Sequence, residues 1–180
     1  GLENALVDYT DSGITVNEFL QTSAKHIYAA GSVTGSQFTT GDILLQSRIC
    51  AHNIIKTRSK ISPNYTSSPR VIFTWPEVAS VGLTEDDCIK RDLQFKTSIA
   101  TLNLIARSNT DDFKNGFVKL ICDKRGKLIG ASVVSPEATS IIHEIGLAIK
   151  YDLYASDLAD LPHAFLSWNE AIRVAANRIR

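Results

Sequence analysis

Methionine is missing from all 180 residues, and the chain opens GLENALVDYTDSG. A polypeptide read from its own first codon starts with Met or carries a processing signal, so the expectation is a piece of a longer protein. No apolar run approaches the roughly 20 residues that cross a bilayer, and the opening has neither the basic start nor the apolar stretch of a secretory leader. A cytoplasmic protein is therefore expected, with no membrane partner. Charge of one sign is also missing: 19 Lys and Arg stand against 19 Asp and Glu. They are interspersed, which excludes the electrostatic footprint of a nucleic-acid binder. Cysteine is scarce. Cys50, Cys88 and Cys122 lie far apart and form no C-x-x-C pair. Nor do they take metal-ligand spacing with His26, His52, His143 or His163, so no metal site is expected. They read as unpaired thiols in a reducing compartment, and the chain supplies no redox-active dithiol of its own.

What is present is ordinary for a globular protein, at 44% hydrophobic and 21% charged residues,. Such a length suits one compact domain, or one domain and part of another. Residues 57–69, TRSKISPNYTSSP, are polar, contain two prolines and follow neither the helical nor the strand period. They read as a connection between a first region, 1–62, and a second, 68–180.

In the first region, residues 13–19 read as extended, and HIYAA, 26–30, as a buried strand ending at Gly31. The turn GSVTGS follows. A helix is expected over 40–56, with Ile43, Leu44, Ile49, Ile54 and Ile55 on its apolar side and Asp42 near its first turn. A strand, glycine turn and helix in this order can present backbone amides and a helix N-terminus to a phosphate or a ribityl chain. In the second region, residues 70–74, 78–83 and 95–105 read as strands, and Thr84 with Asp87 as the start of a short helix. GFVKLIC and KLIGASVV flank DKRG as a hairpin turning at Gly126. Ser135, Pro136 and Glu137 suggest an N-cap, a first-turn proline and a first-turn acid. The helix they open is expected to bury Ile141, Ile142, Ile145, Leu147, Ala148 and Ile149. The fold class is α+β, with helices packed on a mostly antiparallel sheet.

Four segments carry a family resemblance. TSAKHIYAAGSVTG resembles the flavin-binding T-x-x-x-x-I-Y-A-x-G-D-x-x-G of the class I pyridine nucleotide-disulfide oxidoreductases, the group of glutathione reductase, dihydrolipoamide dehydrogenase and mercuric reductase. WPEVASVGLTE is similar to the P-E-x-A-S-V-G-x-T-E that opens their interface domain. GFVKLICDKRGKLIGASVV resembles the central hairpin, and HAFLSWNEAI stands where the family has H-x-H-P-T-x-x-E. The order and spacing match over essentially the whole chain. The resemblance implies that 1–62 is the end of an NAD domain and the C-terminal strand-turn-helix of a Rossmann-like FAD domain, and that 68–180 is the interface, or dimerisation, domain. It implies FAD and NAD(P)H as cofactors, and a homodimer through 68–180. It implies an active site in which a histidine from one subunit, held by a glutamate five residues later, exchanges protons in the other. Such a histidine suits the work because its pKa lies near neutrality.

Two positions depart from the pattern. Counting back five from Glu170, the family's catalytic histidine is Phe165, and a phenyl ring neither gives nor takes a proton. His163 matches the earlier histidine of the pair and is kept with Glu170 as a candidate catalytic residue. Against that, Ser167 and Glu170 also form an S-x-x-E capping box. The family's flavin-site aspartate is Ser32, which offers one hydroxyl in place of a charged acceptor. Flavin contact at Gly31, Ser32 and Val33 is expected, with weaker anchoring. The members nearest in character are the mercuric reductases, which resemble this chain in carrying an aromatic residue near position 165, although NRIR at the end lacks their C-terminal cysteine pair. An acceptor that needs no imidazole proton, a thiolate-bound metal ion or a quinone, fits Phe165. The alternative is a catalytically degenerate member that serves mainly for dimerisation. The apolar faces of the 135–152 helix and of the last helix (Trp168, Ile172, Ala175, Ala176, Ile179) are expected to form the two-fold contact; the alternative, above all for the first of these helices, is that they form the unit's own core.

Overall fold

The computed structural model describes residues 1–35 and 38–179, and the chain divides into two compact units, Gly1–Tyr65 and Thr66–Arg180.

The first unit begins with a small hairpin, β1 (Tyr9–Thr10) and β2 (Gly13–Ile14). A Cβ on Gly13 would stand 2.4 Å from the Val33 carbonyl oxygen, so only glycine lets these backbones meet,. The expected buried strand over 26–30 does not form. Tyr28 makes an isolated bridge to Gln21, flanked by Thr22 N–H to Ile27 O and Ala29 N–H to Leu20 O. A strand extends only where a neighbour offers its own ladder, and the 20–22 segment is too short to provide one. A single 3₁₀ turn, Ser32–Thr34, follows between Gly31 and Gly35, both at positive φ. Ser36, the last residue of the expected turn, lies outside the described residues.

Helix α1 (Thr40–Ile55) starts where the sequence suggested, behind a reciprocal cap: Asp42 N–H donates to Thr39 Oγ1, and Thr39 N–H donates to Asp42 Oδ2 at 3.0 Å,. Its buried side differs from the expected one. Asp42, Gln46, Ile49, Cys50 and Asn53 face inward, while Leu44, Ile54 and Ile55 are exposed. The inward row keeps the 3.6-residue period, but two of its members are carboxamides whose hydrogen bonds to loops replace apolar contacts.

The second unit is built on a five-stranded antiparallel sheet, in the order β3 (Arg70–Ile72), β4 (Glu77–Gly82), β7 (Leu128–Ser135), β6 (Phe117–Asp123) and β5 (Phe95–Thr101). The register aligns Val71, Ala79, Val133, Val118 and Ala100 in one row across the strands. Helices α4 (Ala138–Lys150) and α6 (Glu170–Asn177) pack on the sheet, α4 on β4 and β7, α6 on β5 and β6. Between them in sequence comes α5 (Ala155–Asp160). Between β4 and β5, α2 (Glu85–Lys90) begins with the Thr84–Asp87 cap read from the sequence. Gly126 turns the β6–β7 hairpin at φ 91°.

Four details depart from the sequence reading. The strand over 95–105 stops at Thr101 and passes into a 3₁₀ turn, Leu102–Leu104, and a short helix α3 (Ala106–Thr110). Leu102 is fully buried there, because the chain bends inward where a straight strand would have carried it past the core. Ser135 is the last residue of β7, held by pairing with Glu77, so it does not cap α4. The Thr139 N–H at the head of α4 is taken instead by the Glu77 carboxylate, at 2.8 Å,. Leu147 is exposed on the outer side of α4. Finally, Ser167 caps nothing: its hydroxyl donates to Ala164 O, and α6 begins at Glu170.

Trp168, Ile172, Ala175, Ala176 and Ile179 are all buried inside this unit, together with Ile141, Ile142 and Ile145 of α4. The apolar faces expected to meet a partner are therefore the unit's own core. Among the described residues no helix is long and apolar enough to cross a membrane.

Candidate functional site

The residues singled out in the sequence fall into two clusters, one in each unit.

In the first unit, Gly31 adopts φ 82° and its N–H donates to Gln46 Oε1 at 2.6 Å. Gln46 is fully buried and passes the interaction on through Nε2 to the Tyr65 hydroxyl, at 2.7 Å. Burial lifts the Tyr65 phenol above its ordinary pKa, with the Gln46 hydrogen bond acting in the opposite sense. The Gly31 amide is thus spent within the unit. Ser32 and Val33 are exposed, and a 3₁₀ turn leaves its first amides without an intrahelical acceptor. What this edge offers a ligand is two amides and one serine hydroxyl, all neutral. The N-terminus of α1 already carries its own carboxylate, Asp42, which satisfies part of the helix dipole. A groove of about 340 Å³ beside the turn is lined by Thr10, Ser12, Thr15 and Thr34 with Ile14 and Phe38.

In the second unit, the segment from Leu161 to Asn169 is an irregular loop leading into α6. His163 is almost wholly buried, its side chain 3% exposed. Its Nδ1 stands 2.9 Å from Leu161 O and its Nε2 2.9 Å from Glu144 Oε1. The second Glu144 oxygen accepts from Asn169 Nδ2 at 2.7 Å. One carboxylate on α4 therefore ties both ends of the loop. Arg107 Nη1 reaches Leu166 O at 3.4 Å, and Leu166 itself sits at φ 64°, a left-handed conformation that a leucine holds only when its surroundings impose it,. Trp168 is stacked edge-on to Phe113, and Phe113 to Trp75, with ring centroids 6.2 and 6.0 Å apart. The tied loop presents Phe165, 76% exposed, at its outer side. Glu170 takes no part in the His163 network, and its Oε2 is buried with no hydrogen-bond partner.

The sequence missed Glu144, Asn169, Gln46 and Asn53. Glu144 left one trace: a carboxylate bordering the apolar row of Ile141, Ile142, Ile145 and Ala148 needs a partner to sit there. The three cysteines are buried and unpaired, and burial pushes the Cys122 thiol up to about 12. Among the described residues no group of His, Cys, Asp and Glu is arranged to hold a metal ion.

Residues 68–176, from just before β3 to the last turn of α6, match the family model described as pyridine nucleotide-disulphide oxidoreductase, dimerisation domain. The chain belongs to that family. Curated relatives include a dihydrolipoyl dehydrogenase of Buchnera aphidicola, 33% identical, with 98% of this chain matched to 37% of the relative. A mercuric reductase of Staphylococcus aureus is 36% identical over 97% of this chain and 32% of its own length. A mycothione reductase of Mycobacterium tuberculosis is 30% identical over 87% of this chain and 35% of its own. The chain thus spans about a third of the relatives it matches. Among solved structures, LpdA of Mycobacterium tuberculosis superposes with a TM-score of 0.90 at 27% identity, covering 100% of this chain and 39% of that one. The Escherichia coli flavoprotein disulfide reductase RclA shares the fold, with a TM-score of 0.89 at 23% identity over 99% of this chain and 41% of that one. The family's dimerisation domain is an α+β unit, as the sequence indicated, and its relatives are oxidoreductases.

Proposed function

We propose that this chain supplies part of the flavin site and the homodimer contact of an FAD-dependent NAD(P)H oxidoreductase whose terminal acceptor needs no proton from an imidazole at position 165. The observation that carries the reading is Phe165, an exposed phenyl ring on a tied loop. His163 does not replace the missing imidazole, since both of its ring nitrogens are engaged and its side chain is enclosed. Its role in this reading is to hold the loop that sets Phe165. A metal ion bound by thiolates, as in a mercuric reductase, or a quinone fits such a site. A disulfide, whose leaving thiolate wants a proton, fits it poorly.

Gly31, Ser32 and Val33 form the proposed flavin edge. Their two open amides and one hydroxyl suit the neutral hydroxyls of a ribityl chain and give no charge-assisted bond. FAD, when bound, supplies the two-electron relay between NAD(P)H and the acceptor. Thiols kept unpaired fit a reducing compartment such as the cytoplasm.

For the homodimer, the interior of the second unit already uses the apolar faces of α4 and α6. Among the exposed apolar side chains of this unit, Ile72, Phe73, Trp75 and Phe165 are the ones assigned in this reading to a second copy. Sedimentation of the full-length protein is expected to show a dimer, weakened by Trp75→Ser. A wild-type protein that stays monomeric at high concentration would contradict the dimer, whatever the variant does.

The acceptor is tested on the purified full-length protein. A yellow protein that oxidises NAD(P)H with mercuric ion or a quinone, and not with lipoamide, is expected. Equal turnover of lipoamide would sink the reading. The buried, unpartnered Glu170 Oε2 supports a second one, a site that lost its donor and its chemistry together. In that case the full-length protein is colourless and passes electrons to neither acceptor.

A further inference from the structure

Of the nine asparagines, only Asn115 is followed by glycine. It lies in the irregular segment that leads from α3 into β6, and it is exposed. Glycine carries no Cβ, so its amide nitrogen is the least hindered of any residue's for attack on the preceding side chain. Two conditions for that attack are met. Among the described residues no hydrogen bond engages the Asn115 carboxamide, and the Gly116 N–H donates to no acceptor. The Gly116 carbonyl, which the reaction does not use, is the group that is held, accepting from Leu102 N–H at 3.0 Å. Other asparagines lack this freedom: Asn17, Asn53, Asn103, Asn169 and Asn177 all have their side chains in hydrogen bonds.

We propose that Asn115 is a modification site, converted spontaneously to aspartate and isoaspartate by its neighbour's amide. The Gly116 nitrogen gives up its proton and forms a bond to Asn115 Cγ. The Cγ–Nδ2 bond breaks, and the nitrogen leaves as ammonia with that proton. Water then adds to one of the two carbonyls of the cyclic imide. Opening on one side returns aspartate with the main chain unchanged, and opening on the other routes the main chain through the side-chain carbon as isoaspartate. One water enters and one ammonia departs, with no change of oxidation state.

The two products differ in consequence because of where Gly116 sits. A Cβ there would stand 2.3 Å from the Val134 oxygen and 2.7 Å from Leu102 Cδ1, so the backbone has no room to shift sideways. The isoaspartate adds a methylene to the main chain immediately before this slot. The first pairs of β6, Phe117 with Val134 and with Thr101, lose their register,. Aspartate adds only a charge on an exposed loop. The site is therefore an ageing mark set against the edge of the central hairpin.

The test ages the folded full-length protein in mildly alkaline buffer and maps the masses of its peptides. The amide-to-acid mass gain is expected at Asn115 before any other asparagine, with an isoaspartate fraction at that position. Faster hydrogen exchange in β6 should accompany the isoaspartate. The Asn115→Ser variant, which keeps an exposed polar side chain, is expected to show neither change. An Asn115 that stays unmodified in the folded protein, over a period that converts it in urea-unfolded protein, would overturn the proposal. Conversion to aspartate with no isoaspartate would overturn it too, because direct hydrolysis by water gives that result.

Discussion

The two units of this chain are stabilised in different ways. The second buries one continuous apolar core between its sheet and helices α4, α5 and α6, and side-chain hydrogen bonds there mostly secure loops and helix ends. Among the described residues, the first has a small apolar cluster of Leu20, Ile49 and Cys50 with a few half-buried neighbours. It is stitched by two buried carboxamides. Gln46 joins the Gly31 turn to Tyr65, and Asn53 joins Phe19 O to Ile61, donating to both carbonyls and accepting the Ile61 N–H at 2.9 Å. A core stabilises in proportion to buried area and tolerates changes of detail. A polar stitch contributes little net stability when made and costs much when half broken. The contrast also explains the exposed Leu44, Ile54 and Ile55 on α1.

Substitutions test this contrast directly. Ile142→Ala is expected to be the most damaging, at about 3 kcal/mol, because a fully buried side chain leaves a cavity between α4 and the sheet,. Ile55→Ala should move the urea midpoint hardly at all, since that side chain is 75% exposed. Equal losses would contradict the division. Next comes Asn53→Ala, which strands two carbonyls and an amide, at a cost of roughly 2 kcal/mol. Hydrogen exchange should rise in residues 15–61 while β6 and β7 keep their protection. Loss of protection throughout would mean that one cooperative unit had been taken for two.

The same capping device serves both units, so Thr39→Ala and Thr84→Ala are each expected to cost about 1 kcal/mol. The Thr39 change should spread through the thinly packed first unit, and the Thr84 change should stay local to α2, a difference that exchange rates resolve. The smallest effect at neutral pH concerns Cys122. Burial raises its thiol to about 12, so the folded chain holds that proton after the unfolded chain has released it,. The stability it contributes is intact below the ordinary thiol range and is lost as pH climbs toward the folded value. Denaturation midpoints measured from about pH 8 to about pH 10.5 should fall more in the wild type than in Cys122→Ala.

The second unit was legible in the sequence because its signals are local. The Gly126 hairpin, the Thr84–Asp87 cap and the apolar row of α4 each follow from a few neighbouring residues. The misreadings share a cause, in that each depends on what lies across from a segment. HIYAA has strand composition but no partner long enough to pair with it. Ser135 has capping chemistry, but pairing with Glu77 keeps it in β7. The 168–179 face suited another subunit or this unit's own interior, and of the two it fills the interior. In the candidate site, Phe165 and Ser32 were visible as departures from a pattern. The Glu144 tie was not, because its two partners lie 19 and 25 residues away.

The most direct measurement is the acceptor profile of the full-length protein before and after Phe165→His. The wild type is expected to pass electrons from NAD(P)H to mercuric ion or a quinone and scarcely to lipoamide. The variant should gain lipoamide turnover, because it puts an imidazole five residues before Glu170,. Brisk lipoamide reduction by the wild type, unchanged by the substitution, would contradict the account.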